Sequence, residues 1–435
     1  RLTVPLADIT GGDGVDNDGS GVADELGEIE PRTFLVGGLG KGGRGYYALD
    51  VTDPKAITSE TALADSVKWE YPTNDLYVTG ATNATPIVVT YTTPMTEKFS
   101  ADSTTGDYFL EDGDFFSIEG VAGNTAAIGI WQVANKSGNS FELRLADGSN
   151  STGNGVYTAG TGRVTPDPDM GYAYSRAFLV NSSIGHVVIF GNGYNSPNRN
   201  AVLYVLKASD GTLLKKIDTQ QGTHGDGSTS NGSCNGLSTP QLIDVDADNI
   251  VDYAYAGDLN GNMWKFDLTG TSIADWDVAY SQASTPKSVF QAKDENGNVQ
   301  PITGKPDVML PCDPYSPGYF VVFGTGKYLG PADFSSRSTQ TLYGIWDYGD
   351  DADDDEYLGE FDRTGTTQLS NLSSANSLLE QTLAETPTVV INGNVLRILT
   401  DNPINYSLVA DTDGVGTGND PDSATNNHVG WYFDL

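Results

Sequence analysis

Residues 253 to 267 read Tyr-Ala-Tyr-Ala-Gly-Asp-Leu-Asn-Gly-Asn-Met-Trp-Lys-Phe-Asp: an apolar strand runs into a Gly-rich turn, and an aromatic-led strand follows and closes on Asp. The same grammar recurs along the chain. It is present over 34 to 50 as Phe-Leu-Val-Gly-Gly-Leu-Gly-Lys-Gly-Gly-Arg-Gly-Tyr-Tyr-Ala-Leu-Asp, and over 187 to 206 as Val-Val-Ile-Phe-Gly-Asn-Gly-Tyr-Asn-Ser followed by Val-Leu-Tyr-Val-Leu. Residues 320 to 347 carry it again, and Gly-Trp-Tyr-Phe-Asp-Leu over 430 to 435 is a half-copy. Each unit is a hairpin with an apolar face it cannot bury alone, and radial stacking of such hairpins buries all of those faces together. The fold expected is therefore all-β, a modified β-propeller. Seven blades is the expected count, with six and eight open, because clear copies lie further apart than the usual spacing of about 40 to 50 residues. The half-copy is expected to pair with strands near the N-terminus and so leave no exposed sheet edge.

Composition agrees with that reading. The chain has 435 residues, of which 52 are Gly, 22 Tyr and 10 % aromatic, which suits many short strands joined by tight turns. Only Ser374 to Thr386 reads as a short helix, while β-branched runs recur at Thr85 to Tyr91, Ala177 to Val180, Val187 to Phe190 and Tyr319 to Phe323. Residues 1–33 form an acidic lead segment, and 34–435 form the propeller. A small β insertion is expected at about 96–166, with its own strands at Asp107 to Leu110, Ala127 to Val133 and Phe141 to Leu145.

The formal charge is −35, from 23 Lys and Arg against 58 Asp and Glu. A field of that sign repels phosphate backbones and anionic lipid, so nucleic acid is excluded as a partner. No apolar run is long enough for a membrane span. The chain opens at Arg1 with neither Met nor a basic-then-apolar leader, as expected of a mature protein or an internal piece of a longer one. Cys234 and Cys312 are its only cysteines, either joined or free, and three histidines without metal-ligand spacing argue against zinc or iron.

The sharpest chemistry lies in Asp244-Val-Asp246-Ala-Asp248-Asn-Ile250-Val-Asp252. Carboxylates at relative positions one, three, five and nine, with the Ile250 carbonyl at seven, can wrap one hard cation in six or seven oxygens. Without a cation their mutual repulsion is costly. The oxygen-rich loop favours Ca2+ over Mg2+, which keeps several waters in a strict octahedron. Position six normally takes a left-handed backbone, and Asn249 is the commonest non-Gly residue able to adopt it. Tyr255 at position twelve departs from a full EF-hand. A second loop with the same spacing, Asp16, Asp18, Ser20, Val22 and Asp24, is a further possible Ca2+ site. No nucleophile elbow, phosphate loop or His-Glu pair is present, so an enzyme is not expected.

These blocks resemble the C-terminal domain of the PilY/PilC proteins found at or near the tip of type IV pili. The resemblance rests on Gly37 to Pro54, Phe190 to Ser196, Asp244 to Asp252, Tyr255 to Leu268, Gln300 to Thr303, Gly324 to Gly330, Leu342 to Asp347 and Gly430 to Leu435. It implies a quinoprotein-like propeller with one calcium on Asp244, Asp246, Asp248 and Asp252. It further implies a role in pilus assembly, control of extension against retraction, twitching motility and adhesion. The implied partners are pilin or minor pilins and a surface or host-cell receptor. The implied location is outside the cell, at the pilus tip, cell surface or outer membrane of a Gram-negative bacterium. Asn249 in place of the usual Gly, the insertion, and the absence of an Arg-Gly-Asp tripeptide depart from the family pattern. Two other readings stand beside this one. A quinone-cofactor-dependent periplasmic dehydrogenase would share the propeller, and a purely structural, calcium-stabilised extracellular propeller would carry several such loops at blade spacing.

Overall fold

The computed structural model describes residues 3–7, 29–72, 77–91, 112, 115–145, 147–165, 167, 169–196, 199–222, 235–282, 284–311, 318–348, 378–391, 394–404, 409–410, 419–420 and 428–435. Both cysteines, the strand expected at Asp107 to Leu110 and the whole of Asp16 to Asp24 lie outside them. The chain forms two compact units. One comprises residues 1–217, 222–236 and 270–274, and the other 218–221, 237–269 and 275–435.

In the first unit, β1 (Thr3–Ala7), β2 (Ile29–Gly38), β3 (Tyr46–Asp50) and β4 (Val67–Tyr71) make a four-stranded antiparallel meander, the form of a propeller blade. Helix α1 (Glu60–Asp65) bridges β3 and β4, with the Ser59 hydroxyl accepting the Ala62 N–H at its start. A second meander consists of β11 (Phe178–Ser182), β12 (Gly185–Gly191), β13 (Asn200–Lys207) and β14 (Leu213–Gly222). Val187 to Phe190 and Ala201 to Leu206 are buried without interruption, so these strands are covered on both faces, which is why their sequence is continuously apolar. Tyr46 stacks on Phe190 at 3.8 Å and Phe190 on Tyr204 at 5.3 Å.

The expected insertion does not stand apart from the strands that flank it. β5 (Val78–Ala81) and β6 (Val88–Tyr91) join β7 (Phe115–Glu119), β8 (Gly129–Ser137), β9 (Ser140–Arg144) and β10 (Arg163–Thr165) in one sheet of order β10-β7-β8-β9-β6-β5. A bridge between Tyr77 and Arg163, with the Val78 N–H donated to the Gly162 carbonyl at 3.1 Å, ties the two outer strands, so the sheet closes on itself as a small barrel. Its interior is its own core, including Ile87, Val89, Phe116, Ile118, Val133, Phe141 and Leu143.

In the second unit, β15 (Gln241–Ile243), β16 (Tyr253–Gly257), β17 (Asn262–Asp267) and β18 (Asp277–Val278) form another meander. A hairpin of β19 (Tyr280–Gln282) and β20 (Thr285–Lys287) follows, and β21 (Phe290–Gln291) pairs with the start of β17. The turn within the stretch quoted first is fixed by Asp258. Its carboxylate, fully buried, accepts the Asn262 N–H, the Asn262 side-chain amide and the Trp264 indole N–H, all at 2.9 Å. β22 (Asp307–Met309), β23 (Tyr319–Gly324) and β24 (Thr341–Asp347) open the last large sheet, which also contains β25 (Leu379–Gln381). Two hairpins remain, β26 (Leu383–Ile391) with β27 (Asn394–Leu399), and β28 (Val409–Ala410) with β29 (Asn419–Asp420).

Three expectations are corrected here. Residues 3–7 and 29–33, expected in an acidic lead before the propeller, pair as β1 and the start of β2 in the first meander. The helix expected over Ser374 to Thr386 is absent from its described part, where β25 and β26 run instead. Pro387 and the β-branched run Thr388-Val-Val-Ile391 disfavour a helix continuing there and favour pairing with β27. The terminal strand β30 (Gly430–Asp434) pairs with β24 and, in parallel, with β25, rather than with N-terminal strands. Gly344 explains the choice of partner. A Cβ there would fall 2.3 Å from the Trp431 indole nitrogen, so β24 offers the gap that this side chain needs. Among the described residues three sheets carry a four-stranded meander and a fourth, of order β22-β23-β24-β30-β25, is completed by the terminal strand, and they lend the expected seven blades no support.

Candidate metal site

The loop from Asp244 to Asp252 joins β15 to β16. Its far end is set by the sheet, since Asp252 donates its N–H to the Ile243 carbonyl and accepts the Leu268 N–H, both at 2.8 Å. The Asp252 side chain is thereby aimed back across the loop, where it accepts the Val245 N–H at 2.7 Å. Asp244 accepts the Asn249 N–H at 2.8 Å, Asp246 the Asp248 N–H at 3.2 Å, and Asp248 the Ile250 N–H at 2.7 Å. The loop therefore satisfies its own N–H groups with its own carboxylates, a tight coil that leaves the remaining carboxylate oxygens unspent. Asn249 has φ 66°, the left-handed backbone expected for position six. Ala247 shares it at φ 63°, which no feature of its sequence announced.

This coil brings oxygens of Asp244, Asp246 and Asp252 within 4.8 Å of one another. Asp248 stands outside that trio, with one oxygen held by Ile250. Asp244, Asp246 and Asp248 are exposed, whereas Asp252 is half-buried. Burial, followed by the charges of Asp246, Asp244 and Asp248, outweighs the bond from Val245 and pushes the Asp252 carboxyl above its ordinary range. A donor set made wholly of hard oxygens, whose charges oppose one another at rest, fits a divalent cation of the Ca2+ type. The described chain yields no other trio of this kind, and the second sequence loop lies outside it.

Behind the loop stands a shell that the sequence did not disclose. Tyr253 and Tyr319, with ring centroids 6.5 Å apart, both have hydroxyls pushed above the usual range, by burial first and by neighbouring charges including Asp252. Tyr253 also lies 4.6 Å under the Lys265 ammonium, which Tyr280 and Tyr255 flank at 5.2 and 5.8 Å. Lys265 is 3.2 Å from the fully buried Asp347, whose two oxygens accept the Tyr255 and Tyr280 hydroxyls. Both Lys265 and Asp347 sit within repeat copies, yet only their three-dimensional meeting makes them a pair.

Residues 150–391 match the family model described as the PilY1 beta-propeller domain. The chain belongs to this family. The PilY1 propeller is thus its fold, as the repeats and quoted blocks led one to expect. A type IV pilus biogenesis factor PilY1 homolog of Xylella fastidiosa (strain Temecula1 / ATCC 700964) is 41 % identical over 186 residues, 42 % of this chain and 12 % of that one. The type IV pilus biogenesis factor PilY1 of Pseudomonas aeruginosa (strain UCBPP-PA14) is 34 % identical over 259 residues, 55 % of this chain and 21 % of its own length. The chain therefore matches only about an eighth and about a fifth of the lengths of these two relatives. The crystal structure of the Pseudomonas aeruginosa PilY1 C-terminal domain superposes with a TM-score of 0.54 at 24 % identity, covering 93 % of this chain and 59 % of that one, which is a likeness of fold.

Proposed function

We propose that this PilY1-family propeller serves type IV pilus biogenesis as a calcium-binding, non-enzymatic module. The names of the relatives support the pilus role, and the carboxylate trio supports the ion. In this reading Asp244, Asp246 and Asp252 hold Ca2+, with Asp248 and the Ile250 carbonyl completing the set. The ion neutralises crowded charge and fixes the coil's shape; the protein's own part is the anchoring of Asp252 by Ile243 of β15 and by Leu268, the residue after β17. Binding to the folded form adds RT ln(1 + [L]/Kd), about 2.7 kcal/mol at a hundredfold excess, enough to order one exposed coil. The ordered coil then favours the state that supports pilus extension, and its loss favours retraction. Pilin or minor pilins and an external surface are the partners in this scheme, twitching motility and adhesion its outputs, and the pilus or cell surface its place. No described helix is long and apolar enough to cross a membrane.

The observation that carries this reading is the convergence of three carboxylates on one point beside a sheet-anchored Asp252. Calorimetric Ca2+ titration of Asp252→Ala and Asp246→Asn tests it, with a loss of binding heat expected in both. Unchanged affinity in both would remove the assignment. A purely structural ion is separated from a regulatory one by motility: a calcium-blind variant that stays folded yet loses pilus function supports regulation, and one that keeps pilus function supports a structural role.

A further inference from the structure

Three loops meet at one end of the six-stranded barrel, residues 82–87, 121–128 and 150–158. They contain no Asp, Glu, Lys, Arg or His, in a chain that is 19 % charged with a net −35. They are also laced into one body. Asn124, fully buried, donates to the Thr82 carbonyl at 2.9 Å and accepts the Asn154 N–H at 3.0 Å. Asn154 in turn accepts the Ala126 N–H at 3.0 Å and donates to the Thr125 hydroxyl at 2.9 Å. Thr85 bonds Thr152 at 3.0 Å, and the Gly153 N–H reaches the Ala84 carbonyl at 2.9 Å. The backbones touch so closely that a Cβ on Gly123, at φ 81°, would lie 1.9 Å from the Val156 carbonyl.

The surface so held is exposed, uncharged and of two textures. Thr82, Asn83, Thr85, Thr125, Thr152 and Asn154 are exposed, and all but Asn83 also use their hydroxyls or amides in bonds within or beside the loops, where a hydroxyl keeps capacity for a further bond. Val156, 81 % exposed, and Ile128, 43 % exposed, add aliphatic faces. A ligand that matches this has no charge to leave unpaired, many hydroxyls that both donate and accept, and C–H faces for the aliphatic side chains. An anionic polymer would meet the field of a −35 chain, and the cation bonded to these loops, Arg144 on Asn150, is already paired with Glu142. The rigidity removes most of the ordering cost that loops ordinarily incur on binding.

We propose that this loop face binds an uncharged polysaccharide. The assignment rests on the surface-binding part of the reading above and gives it a place and a ligand class; it does not depend on calcium. The test uses the full chain on immobilised dextran, mannan and cellulose, with alginate as the anionic comparison. Retention is expected on at least one neutral polymer, undiminished by chelator and weak on alginate. Asn83→Asp combined with Val156→Glu should weaken it about tenfold or more, since both side chains face solvent and the change places charge in the patch. Should that pair unfold, Asn83→Ala and Val156→Ser replace it, with weaker retention again expected at an unchanged melting temperature. Absence of retention on every neutral polymer, equal retention on alginate, loss with chelator, or folded variants that bind like the parent would each overturn the proposal. Failure of the calcium reading instead shows as absent Ca2+ heat with polysaccharide retention intact.

Discussion

Asn249 donates its backbone N–H to the Asp244 carboxylate at 2.8 Å while holding φ at 66°. The bond turns the coil inward and requires a conformation that costs a β-branched residue roughly 1–2 kcal/mol or more. Asn249→Gly should therefore fold at least as stably as the parent, while Asn249→Val should lose about 1–2 kcal/mol. Ala247→Gly, at φ 63°, should gain on the order of 1 kcal/mol. Urea denaturation in chelator reads all three without interference from the ion.

Within the acidic coil the five oxygen donors are not equivalent. Asp244, Asp246 and Asp252 converge, and Asp248 is turned toward Ile250. Replacing any of the trio by Ala should abolish measurable Ca2+ heat, while Asp248→Asn, which keeps an oxygen to accept the Ile250 N–H, should weaken binding without abolishing it. Titration calorimetry at one ionic strength checks the ranking, because surface charge effects shrink with salt.

Lys265 and Asp347 form a buried pair, 10 % and 0 % exposed, with three tyrosine rings around the ammonium. Removing one partner strands the other charge, so Lys265→Met should cost about 3–5 kcal/mol. Lys265→Met with Asp347→Leu should recover a good part of that loss, less the cost of two tyrosine hydroxyls left without their acceptor. A double-mutant cycle in urea gives the coupling.

Asp50 sets a pH dependence. Burial pushes its carboxyl up, but the Thr52 hydroxyl and N–H, then Lys68 and Arg32, outweigh burial and hold it below the usual carboxylate range. Lys68 and Arg32 both lie 3.5 Å from it. A folded value below the unfolded one means that the unfolded chain binds the proton more readily, so the stabilisation is present above a pH of about 4 and is lost as pH falls through the folded value. Asp50→Asn should thus be less stable than the parent, by about 1 kcal/mol at pH 7, with the difference vanishing under strongly acid conditions. Melting curves across that range test the sign.

The last six residues should be indispensable to the second unit. β30 is hydrogen-bonded on both sides, to β24 and to β25, and Leu435 donates its N–H to the Gln340 carbonyl at 2.8 Å. Deleting 430–435 unpairs β25 and one edge of β24 and uncovers Gly344, so the truncated chain should lose a cooperative transition by calorimetry rather than merely shift it. Trp431→Ala should destabilise the unit by about 3–4 kcal/mol while leaving its cooperativity in place.

By itself the order of residues was enough to determine the β character, the hairpin grammar and the acidic coil, because those signals are local. Strand alternation, turn glycines and carboxylate spacing act over a few positions, and even the left-handed backbone at Asn249 was legible from position six of the loop. Only the tertiary structure decided that 430–435 completes the sheet of 341–347, that the strands around the expected insertion close a barrel with 78–91, and that Lys265 meets Asp347. Each of these joins segments remote in sequence, where the choice among apolar partners is made by shape and burial: the gap over Gly344, the shared core of Val89 and Phe141, the carboxylate with no water to turn to. A pattern of residue types records that a strand needs a neighbour, but not which neighbour leaves no void and no orphaned charge.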